Sequence, residues 1–350
     1  MSGSDRRQGL LVAGLALALV ALLVALGWWA WSVTTSSLFQ RVDVGGLSDS
    51  DDEPQPGEAS PPEPGDPEEP LEPVTNVLIA GSDSRAGLDR EQRVELSVGD
   101  AEGSRADTLM LVQLRADEPD AALLSVPRDL RVTLCDGSVG RINEALEVDY
   151  GAAPESCLVE TIADVSGIDV HHYVGIDMAG FVDLVDTVGG VEMCFEHRKV
   201  DERAGLDVHP GCKQLGGADA LAYARARELD ETGDFGRMER QHRLVRALLD
   251  EVAGAGFLTD VPRMLRTLGD VSEAVTTDAG FDLATMRGLV TAFADTEADD
   301  APGATVPGRI DVIDGASYVE MVEHEAEELF AAFREGRAYE FLREESADER

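Results

Sequence analysis

Lysine is almost missing from this 350-residue chain, since only Lys199 and Lys213 occur among its 29 basic residues. Acidic residues number 69, so the formal net charge is -40. Proteins that bind nucleic acid present basic surfaces to its phosphates, so this charge argues against nucleic acid as a partner. Dense carboxylates are typical of a surface adapted to high salt. A GC-rich genome, which favours Arg, Asp, Glu, Ala and Gly codons, would produce the same bias.

The sequence also lacks the short motifs of several common enzyme classes. It contains no G-x-S-x-G elbow, no Walker A loop, no G-x-G-x-x-G after a strand and no H-E-x-x-H helix. A serine hydrolase, a P-loop kinase and a zinc protease are therefore not predicted. No C-x-x-C pair is present, and the adjacent His171 and His172 point to opposite faces of a predicted strand, which argues against a zinc site.

One long uncharged run, residues 10–31, follows Arg6 and Arg7 near the N-terminus. At about 1.5 Å per residue, a helix of this length crosses a bilayer of roughly 30 Å. Basic residues before the run and an acidic chain after it predict a cytoplasmic N-terminus, residues 1–9, with the remainder of the chain outside the cytoplasm. A cleaved signal peptide is the alternative, but the run is longer than a usual signal core. We predict a single-pass membrane anchor.

Basic residues are missing between Arg41 and Arg85, and residues 43–73 are almost entirely Asp, Glu, Pro, Gly and Ser. Such a segment has too few apolar side chains to bury a core, and its like charges and prolines favour extended conformations. We therefore predict an acidic, proline-rich extracytoplasmic linker over residues 32–73.

The four cysteines all lie in the segment predicted to be extracytoplasmic, where two disulfides are the expected arrangement. Three connectivities are possible. The shortest loops would pair Cys135 with Cys157 and Cys194 with Cys212.

Alternating strand and helix patterns predict an α/β domain with a mixed central sheet flanked by helices. Short apolar runs predict three strands, at residues 76–80, 107–114 and 121–126. Helical spacing predicts helices at residues 178–188, 237–252, 257–269 and 316–335. We place the domain core at residues 74–254, a helical completion of the domain at residues 255–338 and an acidic tail at residues 339–350.

If the three strands run up, down and up, they bring mixed charges to one edge of the sheet. These residues are Asp83, Arg85, Arg105, Asp107, Arg128 and Asp129. Facing carboxylates repel unless a cation lies between them, and guanidinium groups repel unless an anion does. A magnesium-bound phosphate or pyrophosphate satisfies both conditions, with Asp83 and Asp107 as the Mg²⁺ ligands. Salt bridges between Asp and Arg without any ligand are the alternative.

Six arginines and no lysine lie between Arg225 and Arg246. Guanidinium groups bind phosphate with two parallel hydrogen bonds, so this segment is a candidate phosphate site. Arg237 and Gln241 share one helix face near the helix N-terminus, where the macrodipole also favours an anion. A solvated helix face is the alternative, because neighbouring acidic residues nearly cancel the arginines. We assign Arg243 and Arg246 to that solvated face.

Seven motifs over residues 75–254 together resemble the LytR-CpsA-Psr (LCP) family of cell-envelope proteins. In order they are NVLIAGSDSR, SRADTLMLVQL, LLSVPRD, RINEAL, GFVDLVDTVGGVEMC, LGGADALAYARAR and GRMERQ. Ala106 stands where the family often has Ser, and Arg141 where it often has Lys. Neither substitution removes the pattern of charges.

The resemblance implies a phosphotransferase that moves a glycopolymer from a polyprenyl-pyrophosphate carrier onto peptidoglycan, with Mg²⁺ as cofactor and a hydrophobic tunnel for the lipid. Asp83 and Asp107 would hold Mg²⁺, Arg105 would act in catalysis, and Asp107 or Asp129 would be the general base. The residues implied to bind pyrophosphate are Arg85, Arg105, Arg128, Arg225, Arg227, Arg237 and Gln241. Hydrolysis of the pyrophosphate and a non-catalytic lipid-binding or regulatory protein are the alternative functions.

Overall fold

A computed structural model describes most of the predicted domain core and part of the C-terminal region. The described residues are 40–48, 74–85, 88–99, 103–115, 121–227, 229, 234–254, 275–281, 285–286 and 302–348. The predicted transmembrane helix, most of the predicted linker and the predicted helix at residues 257–269 lie outside them. Within the described ranges, no helix is both long and apolar enough to cross a membrane.

The described chain alternates strands and helices. The strands are β1 Gln40–Val42, β2 Val74–Ser82, β3 Ala106–Arg115, β4 Ala121–Ser125, β5 Arg131–Thr133, β6 Val139–Arg141, β7 His172–Ile176, β8 Val191–Phe195, β9 Lys199–Asp201, β10 Leu206–Val208, β11 Gly211–Leu215, β12 Val275–Asp278, β13 Gly303–Thr305, β14 Gly308–Ile313 and β15 Ala316–Met321. The helices are α1 Arg90–Glu95, α2 Pro154–Ser166, α3 Met178–Val188, α4 Gly217–Arg225, α5 Asp234–Gly254, α6 Glu323–Arg334 and α7 Ala338–Asp348, with a 3-10 helix at Ile142–Glu147.

A seven-stranded mixed sheet forms the centre, in the order β1-β12-β7-β2-β3-β4-β13. β2 and β4 both pair antiparallel with β3, which confirms the predicted up-down-up arrangement. β7 runs parallel to β2, and β13 runs parallel to β4. The predicted mixed α/β fold with a central sheet and helices is therefore confirmed.

Each face of the sheet carries its own apolar layer, because successive side chains of a strand point to opposite sides. In β4, Ala122 and Leu124 pack into a cluster that includes Leu158 of α2 and Phe333 of α6. Ala121 and Leu123 belong to a second cluster, against which Val245 of α5 packs. α5 therefore covers one face of the sheet, and α2 and α6 cover the other.

Both predicted disulfides form, Cys135 with Cys157 and Cys194 with Cys212. The first ties the turn after β5 to α2, where Cys157 is fully buried. The second joins residues that lie directly opposite each other in the two-stranded β8–β11 sheet. The shortest-loop pairing is thus confirmed.

The helical completion predicted for residues 255–338 is wrong in part, because β12 to β15 lie within it. In particular, the helix predicted at residues 316–335 begins only at Glu323, and its first residues form β15. Asp314 and Gly315 both have positive φ, 52° and 84°, which suits a tight hairpin turn between β14 and β15. The hairpin therefore overrides the apparent helical spacing.

The acidic tail predicted at residues 339–350 is also wrong, because Ala338–Asp348 is helix α7. Its Leu342 is buried in the main apolar cluster, and Tyr339 and Phe341 pack against that cluster. Acidic side chains cover only the solvent side of the helix. Apolar residues at helical spacing therefore decide the structure here, despite the high density of carboxylates.

The first residues of the predicted linker belong to the folded domain. β1 pairs in parallel with β12 at the edge of the sheet, and Val44 is buried. The Gly45 amide donates to Ser156 Oγ at 2.8 Å, and the Ser48 amide donates to the Val170 carbonyl at 2.9 Å. Placing residues 40–48 in the linker is therefore wrong, because Val42 and Val44 give this acidic stretch enough apolar surface to dock.

Candidate functional site

At one end of its strands, the central sheet brings together the loops that follow β2 and β4 and the loop that precedes β3. These strand ends form the site edge of the sheet. The Asp83 amide donates to the Arg105 carbonyl at 2.9 Å, and the Arg105 amide donates to Asp83 Oδ1 at 2.8 Å. The register of β2 against β3 shifts between Gly81 and Ser82. Such an irregularity redirects the chain beyond it. Asp83 is thereby held beside the start of β3, which carries Asp107.

An ion pair between Asp107 and Arg128 joins the start of β3 to the loop after β4. Arg128 Nη1 lies 2.5 Å from Asp107 Oδ1, in a partly buried position where charge-assisted hydrogen bonds are strong. Arg237 of α5 reaches the same residue, because its Nη2 donates to the Asp107 carbonyl at 3.5 Å. The sheet edge and the arginine segment, more than 100 residues apart in sequence, therefore meet at Asp107.

Arg225, the last residue of α4, lies close to two further predicted ligands. Its guanidinium donates to the Leu96 carbonyl at 2.9 Å. Burial lowers the pKa of Arg225, the charges of Arg85 and Arg227 lower it further, and Asp107 opposes them. Arg225 therefore lies within electrostatic reach of two further guanidinium groups, Arg85 and Arg227, and of two carboxylates, Asp107 and Asp201. Such a group of like charges favours binding of an anion.

The start of α5 is buried against the end of α4. Arg240 Nη2 donates to the Ala226 carbonyl at 2.5 Å, and Gln241 Nε2 donates to the Ala224 carbonyl at 3.3 Å. Arg237, Arg240 and Gln241 are all buried. Gln241 thus holds the backbone that leads to Arg225 and Arg227, rather than pointing into solvent.

The outer arginines of the segment differ from each other. Arg243 is exposed and pairs with Glu239 one turn earlier, as expected for a solvated helix face. The same prediction is wrong for Arg246, which is half-buried. Its guanidinium lies against Gly303 of β13 and beside His242. β13 packs on this side of α5, and helical spacing alone does not predict such a tertiary contact.

Two residues absent from the predicted set lie at the rim of this edge, Arg141 and Glu147. Arg105 Nε donates to Glu147 Oε2 at 3.0 Å, in an exposed position. Arg141 Nε lies 3.4 Å from Asp129 Oδ1, and its guanidinium stacks over the Tyr318 ring at 5.1 Å. The RINEALE segment, which carries both missed residues, was the sequence signal for them. A ligand that engages Arg105 has to draw it away from Glu147.

Asp83 and Asp107 are the carboxylates at this end of the sheet that could hold a magnesium ion, with phosphate and water completing its shell. Each carboxylate uses Oδ1 in a hydrogen bond within the site, so Oδ2 is the oxygen to offer a cation. Among the described residues, no three Asp, Glu, His or Cys side chains are grouped as a metal site. Mg²⁺ commonly takes only one or two protein carboxylates together with phosphate oxygens. The pair therefore suits Mg²⁺ that arrives with a phosphorylated ligand.

His242, on the same helix as Arg237, is a buried neutral imidazole. Its Nε2 and Ser125 Oγ are 2.7 Å apart, and both residues are buried. Burial, and secondarily the nearby charge of Arg246, lower the pKa of His242 to about 4. Among the described residues, the charged side chain that lies beside the His242 ring is Arg246. His242 consequently stays uncharged at neutral pH.

This depressed pKa predicts a loss of stability in weak acid. An unfolded histidine has a pKa of about 6.5, so as pH falls the unfolded chain binds the proton before the folded chain does. The free energy of unfolding should therefore fall between about pH 6.5 and pH 4, by roughly 3 kcal/mol in total. In denaturant unfolding at a series of pH values, His242→Gln should show a shallower decline than the unmodified chain. Parallel curves for the two proteins would contradict the assignment.

The chain matches the model of the LytR_cpsA_psr family over residues 53–335. It is 31% identical over 292 residues to the cell wall biosynthesis protein LcpA of Corynebacterium glutamicum, covering 75% of this chain and 55% of LcpA. It is 34% identical over 209 residues to TagU of Halalkalibacterium halodurans, covering 59% of this chain and 62% of TagU. That protein is named a polyisoprenyl-teichoic acid–peptidoglycan teichoic acid transferase. The chain thus spans somewhat more than half the length of these two relatives.

Solved structures show the same fold. The crystal structure of Bacillus subtilis TagV superimposes with a TM-score of 0.60 at 25% identity, covering 76% of this chain and 98% of TagV. A structure described as TagT bound to LI-WTA gives a TM-score of 0.58 at 21% identity, covering 77% of this chain and 92% of TagT.

Proposed function

Because the chain belongs to the LytR-CpsA-Psr family, we propose that it is a phosphotransferase that moves a glycopolymer from a polyprenyl-pyrophosphate carrier onto peptidoglycan. The observation that carries the proposal is the meeting of Asp107, Arg128 and Arg237 at one sheet edge. A pyrophosphate needs several fixed cations around it, and this edge offers them. The names of LcpA and TagU support the same class of reaction.

In the proposed reaction, the guanidinium groups position the pyrophosphate and neutralise its charge. Arg85 and Arg128 approach from the loops after β2 and β4, Arg237 approaches from α5, and Arg225 and Arg227 approach from the end of α4. Asp83 and Asp107 would hold Mg²⁺, which supplies further positive charge against the phosphate oxygens. Phosphoryl transfer is catalysed mainly by such positioning and electrostatic stabilisation, so no covalent enzyme intermediate is required.

The bond changes balance without any co-reactant. A hydroxyl oxygen of peptidoglycan attacks the phosphorus attached to the glycopolymer, and the bond from that phosphorus to the bridging oxygen breaks. Polyprenyl monophosphate leaves, and the product retains a phosphodiester. The hydroxyl proton passes to a carboxylate, for which Asp107 and Asp129 are the candidates. Both carboxylates are ion-paired, Asp107 with Arg128 and Asp129 with Arg128 and Arg141. We favour Asp129, because it is not one of the two proposed metal ligands.

The lipid of the donor would lie in a hydrophobic tunnel that opens at the site edge. This tunnel and a single-pass anchor at residues 10–31 would together present a membrane-borne pyrophosphate to the sheet edge. With this anchor, the catalytic domain would lie outside the cytoplasm.

The proposal predicts magnesium-dependent transfer by the full chain. Purified protein incubated with a polyprenyl-pyrophosphate-linked glycan and peptidoglycan should yield glycan joined to peptidoglycan by a phosphodiester, together with polyprenyl monophosphate. Chelation by EDTA should stop the reaction, and added Mg²⁺ should restore it. The products are identified by mass spectrometry.

Omission of peptidoglycan separates the alternatives. A transferase should release little polyprenyl monophosphate without its acceptor. Equal release with and without peptidoglycan would identify a hydrolase. Bound lipid that is returned unchanged in the presence of Mg²⁺ and peptidoglycan would identify a lipid-binding or regulatory protein.

A further inference from the structure

Ser125 is a polar residue in an otherwise apolar row of β4. Ala121, Leu123 and Ser125 alternate along one face of the strand, and the first two pack into the apolar cluster on that face. The Ser125 side chain is buried, so its hydroxyl requires a partner within the protein. His242 of α5 is that partner, at 2.7 Å.

This hydrogen bond joins the two halves of the proposed site. Ser125 stands three residues before Arg128 and four before Asp129 in the chain. On α5, His242 directly follows Gln241 and lies five residues after Arg237. The pair is therefore a direct link between the strand that leads to the Arg128 loop and the helix that carries Arg237.

The other polar contacts described for α5 differ in partner or in length. Arg240 and Gln241 donate to backbone carbonyls at the end of α4, which ties α5 to that helix. Arg237 reaches the Asp107 carbonyl at 3.5 Å, which is long for a hydrogen bond. The Ser125–His242 bond is considerably shorter, and it is buried. It is thus better suited to set the separation of helix and strand.

The imidazole has little freedom to move. A Cβ added to Gly303 of β13 would come within 3.0 Å of His242 Nδ1 and 3.1 Å of Arg246 Nη2. The ring is therefore confined between the strand that bears Ser125 and the backbone of the next strand. Because the ring is uncharged, it fills this position without the cost of burying a second cation beside Arg246.

We propose that Ser125 and His242 form a positioning pair that holds Arg128 and Arg237 at the spacing needed to grip a pyrophosphate. The inference rests on the proposed function and adds to it two residues that do not touch the substrate. Displacement of a catalytic group by about 1 Å can cost roughly 100-fold in rate, so loss of the bond should act on catalysis as well as on stability.

The test measures transfer kinetics and thermal unfolding for Ser125→Ala, His242→Ala and the double variant. Each single variant should lower kcat by about tenfold or more, with a smaller change in KM for the lipid-linked donor. The double variant should be no slower than the slower single variant, because both remove the same bond. His242→Gln, whose amide retains a hydrogen-bonding group, should recover part of the activity lost in His242→Ala.

Two matched variants control for a general loss of stability. Ser156→Ala removes another buried hydroxyl, which accepts from the Gly45 amide at 2.8 Å. His171→Gln alters a histidine whose Nδ1 accepts from the Asn76 amide, at the end of β2 far from the site. Both controls should lower the melting temperature at most and leave kcat within about twofold. If Ser125→Ala and His242→Ala behave like these controls, the pair is only structural and the proposal is overturned.

A second measurement separates this inference from the proposed function. If the unmodified chain transfers no glycan from any donor tested, the proposed function fails. The positioning role is then judged by calorimetric titration with inorganic pyrophosphate and Mg²⁺. Several-fold weaker binding in Ser125→Ala and His242→Ala, but not in the controls, supports the role. Unchanged binding in all four variants contradicts it.

Discussion

Asp107→Ala and Arg128→Ala are each expected to slow glycopolymer transfer by about 100- to 1,000-fold, with the fold retained. The two side chains form one ion pair, so either change removes a charge from the proposed pyrophosphate site and releases its partner. Asp107→Ala additionally removes one of the two proposed Mg²⁺ ligands. Rates of phosphodiester formation with saturating donor test this expectation, and circular dichroism checks the fold.

The matched control for Arg128→Ala is Arg131→Ala. Arg131 lies three residues later, on β5, and pairs with Glu320 at 3.5 Å in an exposed position. Exposed ion pairs contribute little to stability, so this variant should transfer at nearly the normal rate. Equal losses in Arg128→Ala and Arg131→Ala would indicate a general effect of lost positive charge, and the site assignment would then be wrong.

Removal of the Cys135–Cys157 disulfide should produce the largest loss of stability. With the two cysteines 22 residues apart, the unfolded chain gains loop entropy worth about 3 kcal/mol when both are changed to alanine. The buried Cys157 sulfur also leaves a small void, which adds to the loss. For a domain of this size, the melting temperature should fall by roughly 6 to 12 °C. Calorimetry or thermal circular dichroism measures the shift.

The second disulfide is an internal control for the same effect. Cys194 and Cys212 are 18 residues apart, so their loop entropy is nearly the same. Cys212 is exposed in the two-stranded β8–β11 sheet, and its removal opens no void in the main core. We expect a smaller shift for the Cys194→Ala/Cys212→Ala variant. A larger shift than for the first disulfide would show that burial does not decide the difference.

Much of the domain core follows from local patterns in the chain. β2, β3 and β4 appear as short apolar runs, and α3 begins and ends at the predicted residues. Side-chain alternation and helical spacing act over a few residues, so they can be read without knowledge of the fold. The same holds for the disulfides, where loop length alone favours the observed pairing.

The structure of the C-terminal region and of the start of the predicted linker depends on contacts between residues far apart in the chain. β1 and β12 pair with each other although more than 200 residues separate them, and β13 joins β4 across a similar distance. Neither β1 nor β13 has enough local pattern to predict a strand, since each gains its backbone hydrogen bonds only from a distant partner. The charge density of α7 predicts a tail, because it outweighs the few apolar residues that the helix buries.

The chain itself determined which charges are available to the site and the order in which they occur, because composition and motif spacing are properties of the sequence. Which of these charges meet was decided by the tertiary structure. Asp107 pairs with Arg128, Arg105 turns outward to Glu147, and α5 is fixed to the sheet by a histidine that no motif had singled out. Guanidinium groups are alike in sequence, and only the packing of helix and strand selects their partners.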